Sequence, residues 1–383
     1  MTVFLVINSL YGGGAEHVAS RLSKVWDERY DLKVISLDRI TEMDYNFSGE
    51  IFSLASTKNG ITWFGTIKNY AKAIDELAEV YQPSVIVSFL QNSNLAVLWT
   101  KYKAKKIVSV RNYLPRLHSG LKLIIWNFLI KRYYPRADYV VSVSQMINDD
   151  MIQRYKLESK KCVCIYNPYS INDIRKKSKE QLEQNYAQFF KDNQVLSCMG
   201  NLSTSKGHFH LLRMMKVLKE KYPNMRLCLL GFDKGRMDDL KQLAKELNVD
   251  DISLFAGHQT NPWKFLSKSW CFVFPSLFEG FPNALLEAMI CGIPVISTDC
   301  KSGPKEILEP SDGGKFGLLM DDDMTEWLGA NETLTEKELK FIKAIEMLIE
   351  NKDLYDKYSK LSYERACDFD IERIAHSWDV LFN

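Results

Sequence analysis

The stretch 273-VFPSLFEGFPNALLEAMICGIPVIST-298 decides the fold. An apolar run leads into a glycine-containing loop, a short helical pattern follows, and a second apolar run ends the block. Pro282 suits the first turn of a helix, where its missing N–H costs nothing, so Glu279 and Gly280 belong to the preceding loop. The helix then contains Asn283 and the residues after it. The block predicts a strand–helix–strand unit of a parallel sheet, with Glu279 at the mouth of a crevice.

The start of this helix is a predicted anion site. Backbone amides from Phe281 to Ala284 and the helix dipole favour a bound anion, and Gly280 lets that anion approach the chain closely; a diphosphate fits there. Glu287 lies about one and a half turns into the helix, where a carboxylate accepts hydrogen bonds from a ribose diol. The alternative is that Glu279 is only a charge at a helix start and Glu287 a solvated side chain.

The same alternation of strands and helices extends through the whole chain. Short apolar runs such as 3-VFLVI and 195-VLSCM are separated by amphipathic stretches, which is typical of buried parallel strands connected by helices. We predict an α/β protein of two Rossmann-like, doubly wound lobes. Residues 1–167 form the first lobe and 168–369 the second, with a terminal helix, 370–383, packing back on the first.

Composition excludes several classes of protein. The net charge of +2 argues against a nucleic-acid partner. Since no uncharged apolar run reaches about 18 residues, no membrane span is expected, and the start of the chain lacks the features of a secretory signal, so we predict a cytoplasmic protein. Eight cysteines scattered among apolar residues predict buried thiols rather than a zinc site. The run 321-DDD predicts an exposed acidic turn, and we expect neither a metal nor another cofactor.

Two features of the first lobe are further candidates. In 11-YGGGAEHV the glycines Gly12, Gly13 and Gly14 let backbone amides and a helix start face a ligand. The pattern is not G-x-G-x-x-G, and Asp38 alone is thin support for a dinucleotide-dependent oxidoreductase. Arg111 follows a predicted strand and is either part of the site or one half of an ion pair between the lobes.

The block around Glu279 resembles the donor-binding signature of glycosyltransferase family 4. Glu279 and Glu287 coincide with the two signature glutamates, with Gly280, Pro294 and Val295 in register. A second resemblance lies at 200-GNLSTSKGHFHLL, where the lysine–glycine pair is present but asparagine stands where the family usually has arginine. The resemblance covers nearly the whole chain and implies the GT-B architecture, in which two Rossmann-like lobes face each other across a cleft.

The resemblance also implies roles for individual residues. Lys206 contacts the donor diphosphate as a compact positive charge. The implied catalytic residues are Glu279, Lys206 and Arg111. The implied donor-binding residues are Gly14, Asn201, Lys206, Glu279, Gly280, Phe281, Asn283, Ala284 and Glu287. Gly12, Gly13 and Arg111 are assigned to a loop facing the cleft or the acceptor.

Family 4 enzymes are retaining transferases, so the resemblance implies that the new bond keeps the anomeric configuration of the donor. We favour front-face substitution in which the departing diphosphate acts as the base toward the acceptor hydroxyl. Catalysis then depends on stabilising negative charge on that diphosphate, without a metal, through Lys206 and the amides at the helix start.

The segment 114-LPRLHSGLKLIIWNFLIKRYYPRAD suggests where the acceptor is met. It mixes Arg116, Lys122, Lys131, Arg132 and Arg136 with large apolar residues, as in helices that rest on anionic lipid headgroups. The alternative is an ordinary helix with one buried and one basic side. We predict contact between residues 114–136 and an anionic membrane surface, with the protein peripheral on its inner face.

The predicted reaction follows from these partners. A hexose or N-acetylhexosamine moves from a nucleotide sugar, with UDP as the expected nucleotide, to a lipid-linked saccharide or a lipopolysaccharide or capsule intermediate. The sequences EGFPNALLEAM and SFLQNSN, the latter at 88–94, are similar to those of bacterial surface-glycan transferases. Two rivals stay open: a non-catalytic GT-B partner subunit, which Asn201 favours, and a GT-B epimerase acting on the UDP-sugar itself.

Overall fold

A computed structural model describes residues 1–11, 13–38, 45–55, 62–117, 119–321 and 327–383. The chain divides into two compact units, Met1–Tyr169 with Phe369–Asn383, and Ser170–Asp368. The boundary lies two residues beyond the predicted one because Tyr169 is bonded to the first unit: its N–H donates to the Phe369 carbonyl and its carbonyl accepts from the Ile371 N–H, both at 2.9 Å. Gly12 lies outside the described residues, as does the side chain of Arg116.

The first unit is a parallel sheet with helices. Its described strands are β1 (Thr2–Ile7), β2 (Asp31–Ser36), β3 (Glu50–Ser53), β4 (Val85–Phe89), β5 (Lys105–Val110), β6 (Tyr139–Ser142) and β7 (Cys162–Cys164), in the spatial order β3-β2-β1-β4-β5-β6-β7. The helices among them are α1 (Gly14–Arg29), α2 (Trp63–Tyr81), α3 (Gln91–Trp99), α4 (Leu114–Leu117), α5 (Gly120–Tyr133) and α6 (Gln145–Gln153). The strand order reverses between β1 and β4. The chain therefore leaves the carboxyl ends of these two strands in opposite directions, as at a topological switch point.

The second unit repeats this plan. Its described strands are β8 (Gln194–Met199), β9 (Met225–Leu230), β10 (Ser253–Gly257), β11 (Cys271–Phe274), β12 (Val295–Thr298) and β13 (Leu318–Met320), in the order β10-β9-β8-β11-β12-β13. The helices are α7 (Ile171–Ser178), α8 (Gln184–Phe190), α9 (His208–Lys221), α10 (Met237–Glu246), α11 (Trp263–Leu266), α12 (Asn283–Ile290), α13 (Pro304–Leu308), α14 (Glu336–Glu350) and α15 (Lys352–Ala366). The charged stretch after Pro168, where we placed the connection between the lobes, therefore contains α7 and α8.

The last helix, α16 (Ile371–Phe382), packs against α1 of the first unit. Trp378 is buried between Trp26, edge to face with ring centroids 5.8 Å apart, and Phe89, stacked at 5.6 Å. Arg29 on α1 also forms ion pairs with Asp379 and Glu372. Aromatic rings of this size bury enough apolar area to hold a helix that is far away in sequence.

A buried polar network fixes α9 in the second unit. Glu338 at the start of α14 accepts hydrogen bonds from Arg213 Nε at 2.8 Å, is 2.8 Å from His210 Nδ1, and closes a capping box with Thr335. Hydrogen bonds from His210 and Arg213 to the carboxylate outweigh its burial and lower the pKa of Glu338 to about 2. The helix that follows Lys206 is therefore anchored to α14 by a charged contact that stays ionised at neutral pH.

Candidate functional site

Lys206 and Glu279 meet at the carboxyl edge of the second sheet. β8 and β11 are parallel neighbours, so the loops that follow them leave the sheet on the same side. Lys206 Nζ lies 2.5 Å from Glu279 Oε1, and the two side chains are 21% and 9% exposed. The structure thus brings together two residues that are 73 positions apart and that the sequence assigned to one ligand.

Ser276 supports the carboxylate. Its Oγ donates to Glu279 Oε1 at 2.7 Å, and its carbonyl accepts from Thr298 Oγ1 at 2.5 Å. The neighbouring Leu277 N–H donates to the Ser205 carbonyl at 2.8 Å, so the loops after β8 and β11 are bonded to each other. One carboxylate oxygen of Glu279 therefore accepts two hydrogen bonds from fixed partners, which holds the group in a defined orientation.

Position 207, directly after Lys206, requires a glycine. Its φ is +66°, and a Cβ at this position would lie 2.1 Å from the carbonyl oxygen of Pro275. Both the backbone conformation and the close approach of the neighbouring loop therefore exclude a larger residue. On the other side, the Lys206 stem runs past Gly200, where a Cβ would be 3.3 Å from the lysine Cδ. The lysine is thus positioned by glycines in its own loop.

His208 adds no charge to this region. It is buried, and within the described residues neither of its ring nitrogens has a hydrogen-bond partner. Burial, together with the charge of Lys206, lowers the pKa of His208 to about 3, so the ring is neutral near pH 7. Of the two basic residues that flank Gly207, Lys206 therefore carries the positive charge.

The helix start differs in detail from the prediction. Pro282 is the N-cap of α12, one position before its predicted place in the first turn, because its ψ of 80° is not helical. The Asn283 N–H, one of the amides assigned to the diphosphate, instead donates to the Phe281 carbonyl at 3.0 Å. Phe281 is buried and Ala284 partly exposed.

Gly280 and Asn201 lie in the loops that follow β11 and β8. The Gly280 carbonyl accepts from Ser302 Oγ at 2.6 Å, which ties this loop to the one after β12. Asn201, at the position of the family arginine, is exposed. The neighbouring Gly200 N–H donates to the Leu230 carbonyl at 2.9 Å, so the backbone beside Asn201 is fixed.

Glu287 is a buried carboxylate, and the alternative of a solvated face is wrong. It is 7% exposed, and its Oε2 accepts a hydrogen bond of 3.1 Å from the indole N–H of Trp263 on α11. Lys177 Nζ lies 5.4 Å from the centre of the same indole. Trp263 was missed in the sequence, since nothing in its spacing connects it with Glu287.

A second pair that sequence reasoning missed follows β9 and β10. Phe232 and His258 stack with centroids 3.7 Å apart and planes 12° from parallel, and Phe232 is half exposed. Phe232 is the second residue after β9 and His258 the first after β10, and the ends of these strands lie at the edge that carries Lys206. An exposed planar stack at this edge is a suitable surface for an aromatic base.

In the first unit, Arg111 is buried at the end of β5. Its guanidinium donates to Asn167 Oδ1, lies 3.4 Å from Ser109 Oγ and sits over the Phe89 ring at 5.4 Å. Burial lowers the pKa of Arg111 to about 10, so the group remains charged at neutral pH. Within the described part of this unit no carboxylate forms an ion pair with it.

The described part of the glycine loop caps α1. Gly13 is its N-cap and Gly14 its first residue. A Cβ on Gly13 would lie 2.4 Å from Glu16 Oε2, so the glycine leaves space for this carboxylate. Sequence reasoning missed Glu16. Burial raises the pKa of its carboxyl group, and Ser9 Oγ lies 3.4 Å from Glu16 Oε1.

The acidic run 321-DDD is described only in part. Asp321 pairs with Lys340 at 2.7 Å on an exposed surface, and Asp322 and Asp323 lie outside the described residues. Over the ranges that the structure describes, no group of three His, Cys, Asp or Glu side chains is arranged to hold a metal ion, and no helix is long and apolar enough to cross a membrane.

Comparisons with known proteins agree with this architecture. Residues 12–173 match the model described as Glycosyltransferase Family 4, and residues 179–365 match Glycosyl transferases group 1. An uncharacterized glycosyltransferase of Methanocaldococcus jannaschii is 34% identical over 94% of both chains. An N-acetylgalactosamine-N,N'-diacetylbacillosaminyl-diphospho-undecaprenol 4-alpha-N-acetylgalactosaminyltransferase of Campylobacter jejuni is 27% identical over 97% of this chain and 96% of its own.

The fold is shared with solved structures. Anabaena HepE in complex with UDP and glucose has a TM-score of 0.77 at 18% identity, covering 99% of this chain and 98% of its own. The chain is thus a glycosyltransferase of the GT-B fold, with two Rossmann-like lobes, as the sequence predicted. It belongs to glycosyltransferase family 4.

Gly207→Ala should destabilise the protein more than Gly257→Ala, although both glycines have a φ of +66°. A Cβ at Gly257 has no atom within 4 Å, so that variant measures the backbone strain alone, about 1 kcal/mol. At Gly207 the contact with the Pro275 carbonyl adds to it. Thermal unfolding of both variants checks this prediction, and equal losses would show that the loop relaxes around an added methyl group.

Proposed function

We propose that this glycosyltransferase moves a hexose or N-acetylhexosamine from a UDP-sugar to a lipid-linked saccharide or a lipopolysaccharide or capsule intermediate, with retention and without a metal or other cofactor. The observation that carries the proposal is the contact between Lys206 and Glu279 at the sheet edge. HepE, which shares the fold, was solved with UDP and glucose, and the C. jejuni relative is named for a diphospho-undecaprenol acceptor.

A nucleotide sugar supplies partners for both members of this ion pair. Diphosphate oxygens satisfy the Lys206 ammonium, and sugar hydroxyls donate to the Glu279 carboxylate, so the bound donor replaces one salt bridge by two sets of charge-assisted hydrogen bonds. The ribose diol then donates to Glu287, which the Trp263 N–H holds in place. The stacked rings of Phe232 and His258 offer a surface for the base.

The surroundings of Glu279 favour front-face substitution over a double displacement. With the donor bound, the carboxylate accepts from Ser276 Oγ and from the sugar hydroxyls, and a carboxylate engaged in this way is a poor nucleophile. In the proposed step the bond between the anomeric carbon and the diphosphate oxygen breaks as the acceptor oxygen bonds on the same face. The acceptor proton passes to the departing diphosphate, whose negative charge Lys206 stabilises. Arg111 is proposed to add positive charge.

A membrane contact is proposed for α5, within the predicted segment 114–136. Leu121, Ile124 and Phe128 are 72%, 64% and 64% exposed and, spaced three and four apart, lie on one face. Lys131 and Arg132 follow in the last turn, and the first turn has no acid. An exposed apolar face that ends in two cations fits the headgroup region of an anionic bilayer. We therefore propose a peripheral protein on the cytoplasmic face of a membrane.

The proposed reaction is tested with UDP-, GDP- and ADP-sugars in the presence of EDTA, with and without a prenyl-diphosphate-linked saccharide. We expect nucleotide release from a UDP-sugar only with acceptor, and NMR of the product should show the anomeric configuration of the donor. An inverted product contradicts retention, and activity abolished by EDTA contradicts metal independence. Donor turnover without acceptor supports the epimerase, whereas binding without turnover supports a non-catalytic partner.

The two glutamates should separate binding from turnover. Glu287→Gln keeps an acceptor for the Trp263 N–H but loses the charge facing the ribose, so UDP affinity should fall about tenfold, as for one charge-assisted hydrogen bond. Glu279→Gln should retain UDP affinity, because Lys206 is released from its ion pair, while kcat falls at least about tenfold. Calorimetry and steady-state kinetics measure both. Unchanged UDP affinity in Glu287→Gln contradicts the ribose assignment.

Replacing Leu121, Ile124 and Phe128 together with Ser should reduce partitioning onto phosphatidylglycerol-containing vesicles by more than about tenfold, since each side chain loses its transfer free energy into the interface. A matched control replaces three exposed apolar residues elsewhere, Val80, Val217 and Met347, with Ser. Vesicle co-sedimentation compares the two triple variants. Equal partitioning of both with the wild type contradicts a membrane role for α5.

A further inference from the structure

A cavity of about 400 Å³ opens in the first unit, and its lining includes none of the residues assigned to the donor. It lies at the carboxyl ends of β1 and β4, where the strand order reverses, and α5 forms one side of it. Small ligands bind in spaces of about 300–1,000 Å³, and in open α/β sheets they bind at this kind of edge. The size and position of the cavity therefore suit a ligand rather than a packing defect.

Two tryptophans and an isoleucine form its apolar walls. Trp63, at the start of α2, and Trp126, on α5, meet edge to face with centroids 5.5 Å apart. Trp126 is buried in the core and holds the wall in place, whereas Trp63 is 38% exposed and Ile125 39%. The C–H groups on one face of a pyranose ring are apolar, so an exposed indole offers a flat surface on which a sugar stacks.

Carboxamides form a polar side of the cavity. Asn8 Oδ1 accepts hydrogen bonds from the Ser93 N–H at 3.2 Å and from Ser93 Oγ at 2.7 Å, which orients the amide and leaves its N–H₂ group for other acceptors. Gln91 and Asn92, the first residues of α3, complete this side. Carboxamides both donate and accept, so they match the hydroxyl and acetamido groups of an amino sugar.

Lys122 lies at the edge of the cavity and is exposed. In the described parts of the chain it forms no ion pair. It follows Leu121 on α5 and is one turn before Ile125, so it lies on the side of α5 that lines the cavity, next to the apolar face proposed to contact lipid. An unpaired ammonium in this position suits a phosphate group attached to a sugar in the cavity.

We propose that this cavity is an acceptor subsite for the phosphate-linked acetamido sugar of a prenyl diphosphate saccharide. The pyranose ring stacks on Trp63, the carboxamides of Asn8, Gln91 and Asn92 bind its hydroxyl and acetamido groups, and Lys122 binds the diphosphate. The lipid chain then leaves along the exposed apolar face of α5. This inference rests on the proposed function, because it specifies the acceptor of that transfer.

The test uses two acceptors with the same disaccharide, one with a prenyl diphosphate and one without it. One is an N-acetylgalactosaminyl-N-acetylglucosamine disaccharide on farnesyl diphosphate, and the other is its methyl glycoside. Trp63→Ala should raise KM about tenfold or more for both acceptors, whereas Lys122→Gln should raise KM for the diphosphate acceptor alone. The KM for the UDP-sugar and the affinity for UDP should stay within about twofold of wild type in both variants, since neither residue is among those assigned to the donor.

Residues on the same helix as Trp63 provide the controls. Val80→Ala removes part of an apolar side chain that is 72% exposed and outside the cavity lining, and Lys68→Gln removes an exposed cation. Both should leave KM for the acceptors within about twofold. If Trp63→Ala fails to fold, Gln91→Ala replaces it, with the same expectation for both acceptors. A Trp63 variant equal to Val80→Ala, or a Lys122 variant equally impaired with both acceptors, overturns the proposal.

Calorimetric titration of each protein with the farnesyl diphosphate disaccharide, without donor, separates this inference from the proposed function. Loss of binding in Trp63→Ala and Lys122→Gln, with no transfer by any protein, leaves the subsite standing and contradicts the transfer reaction. Transfer by the wild type with unchanged binding in both variants sustains the proposed function and rejects the subsite. No binding by the wild type also rejects the subsite.

Discussion

The contact between the Lys206 ammonium and the Glu279 carboxylate is the interaction on which the donor site depends. Both groups are largely buried, so each loses hydration, and separating them inside the protein would leave an uncompensated charge. The pair joins the loops after β8 and β11, and these approach so closely that Gly207 has no space for a Cβ beside the Pro275 carbonyl. The two charges can pair only while the loops stay this close, so the ion pair and the short distance between the loops depend on each other.

That constraint requires rigid support on both sides. On one side, α9 begins directly after Gly207 and is held by the buried contacts of His210 and Arg213 with Glu338. On the other, Ser276 and Thr298 bond the β11 loop to the strand beside it. Since the pKa of Glu338 is about 2, its carboxylate stays ionised near neutral pH and keeps its contacts with His210 and Arg213. The ion pair thus sits between two fixed elements.

The sequence predicted what local pattern determines. Apolar runs separated by amphipathic stretches predicted the strands of both sheets, except β3, whose four residues EIFS are too short and too mixed to show a period. The loop position of Glu279 followed from its distance to Pro282. The partner of Glu287 did not follow, because Trp263 lies 24 residues earlier and only the packing of α11 on α12 brings the two together. The cavity residues, spread from Asn8 to Trp126, share no local pattern at all.

The role of Arg111 in binding an anion is a prediction that rests on its burial. Burying a guanidinium is costly, and among the described residues of this unit Arg111 contacts the Asn167 oxygen, the Ser109 hydroxyl and the face of Phe89 but forms no ion pair with a carboxylate. With a pKa of about 10 it does not escape this cost by losing its proton at neutral pH. A phosphate or carboxylate bound beside Arg111 would offset the remaining penalty, and this unbalanced charge is the physical reason why it stays a candidate.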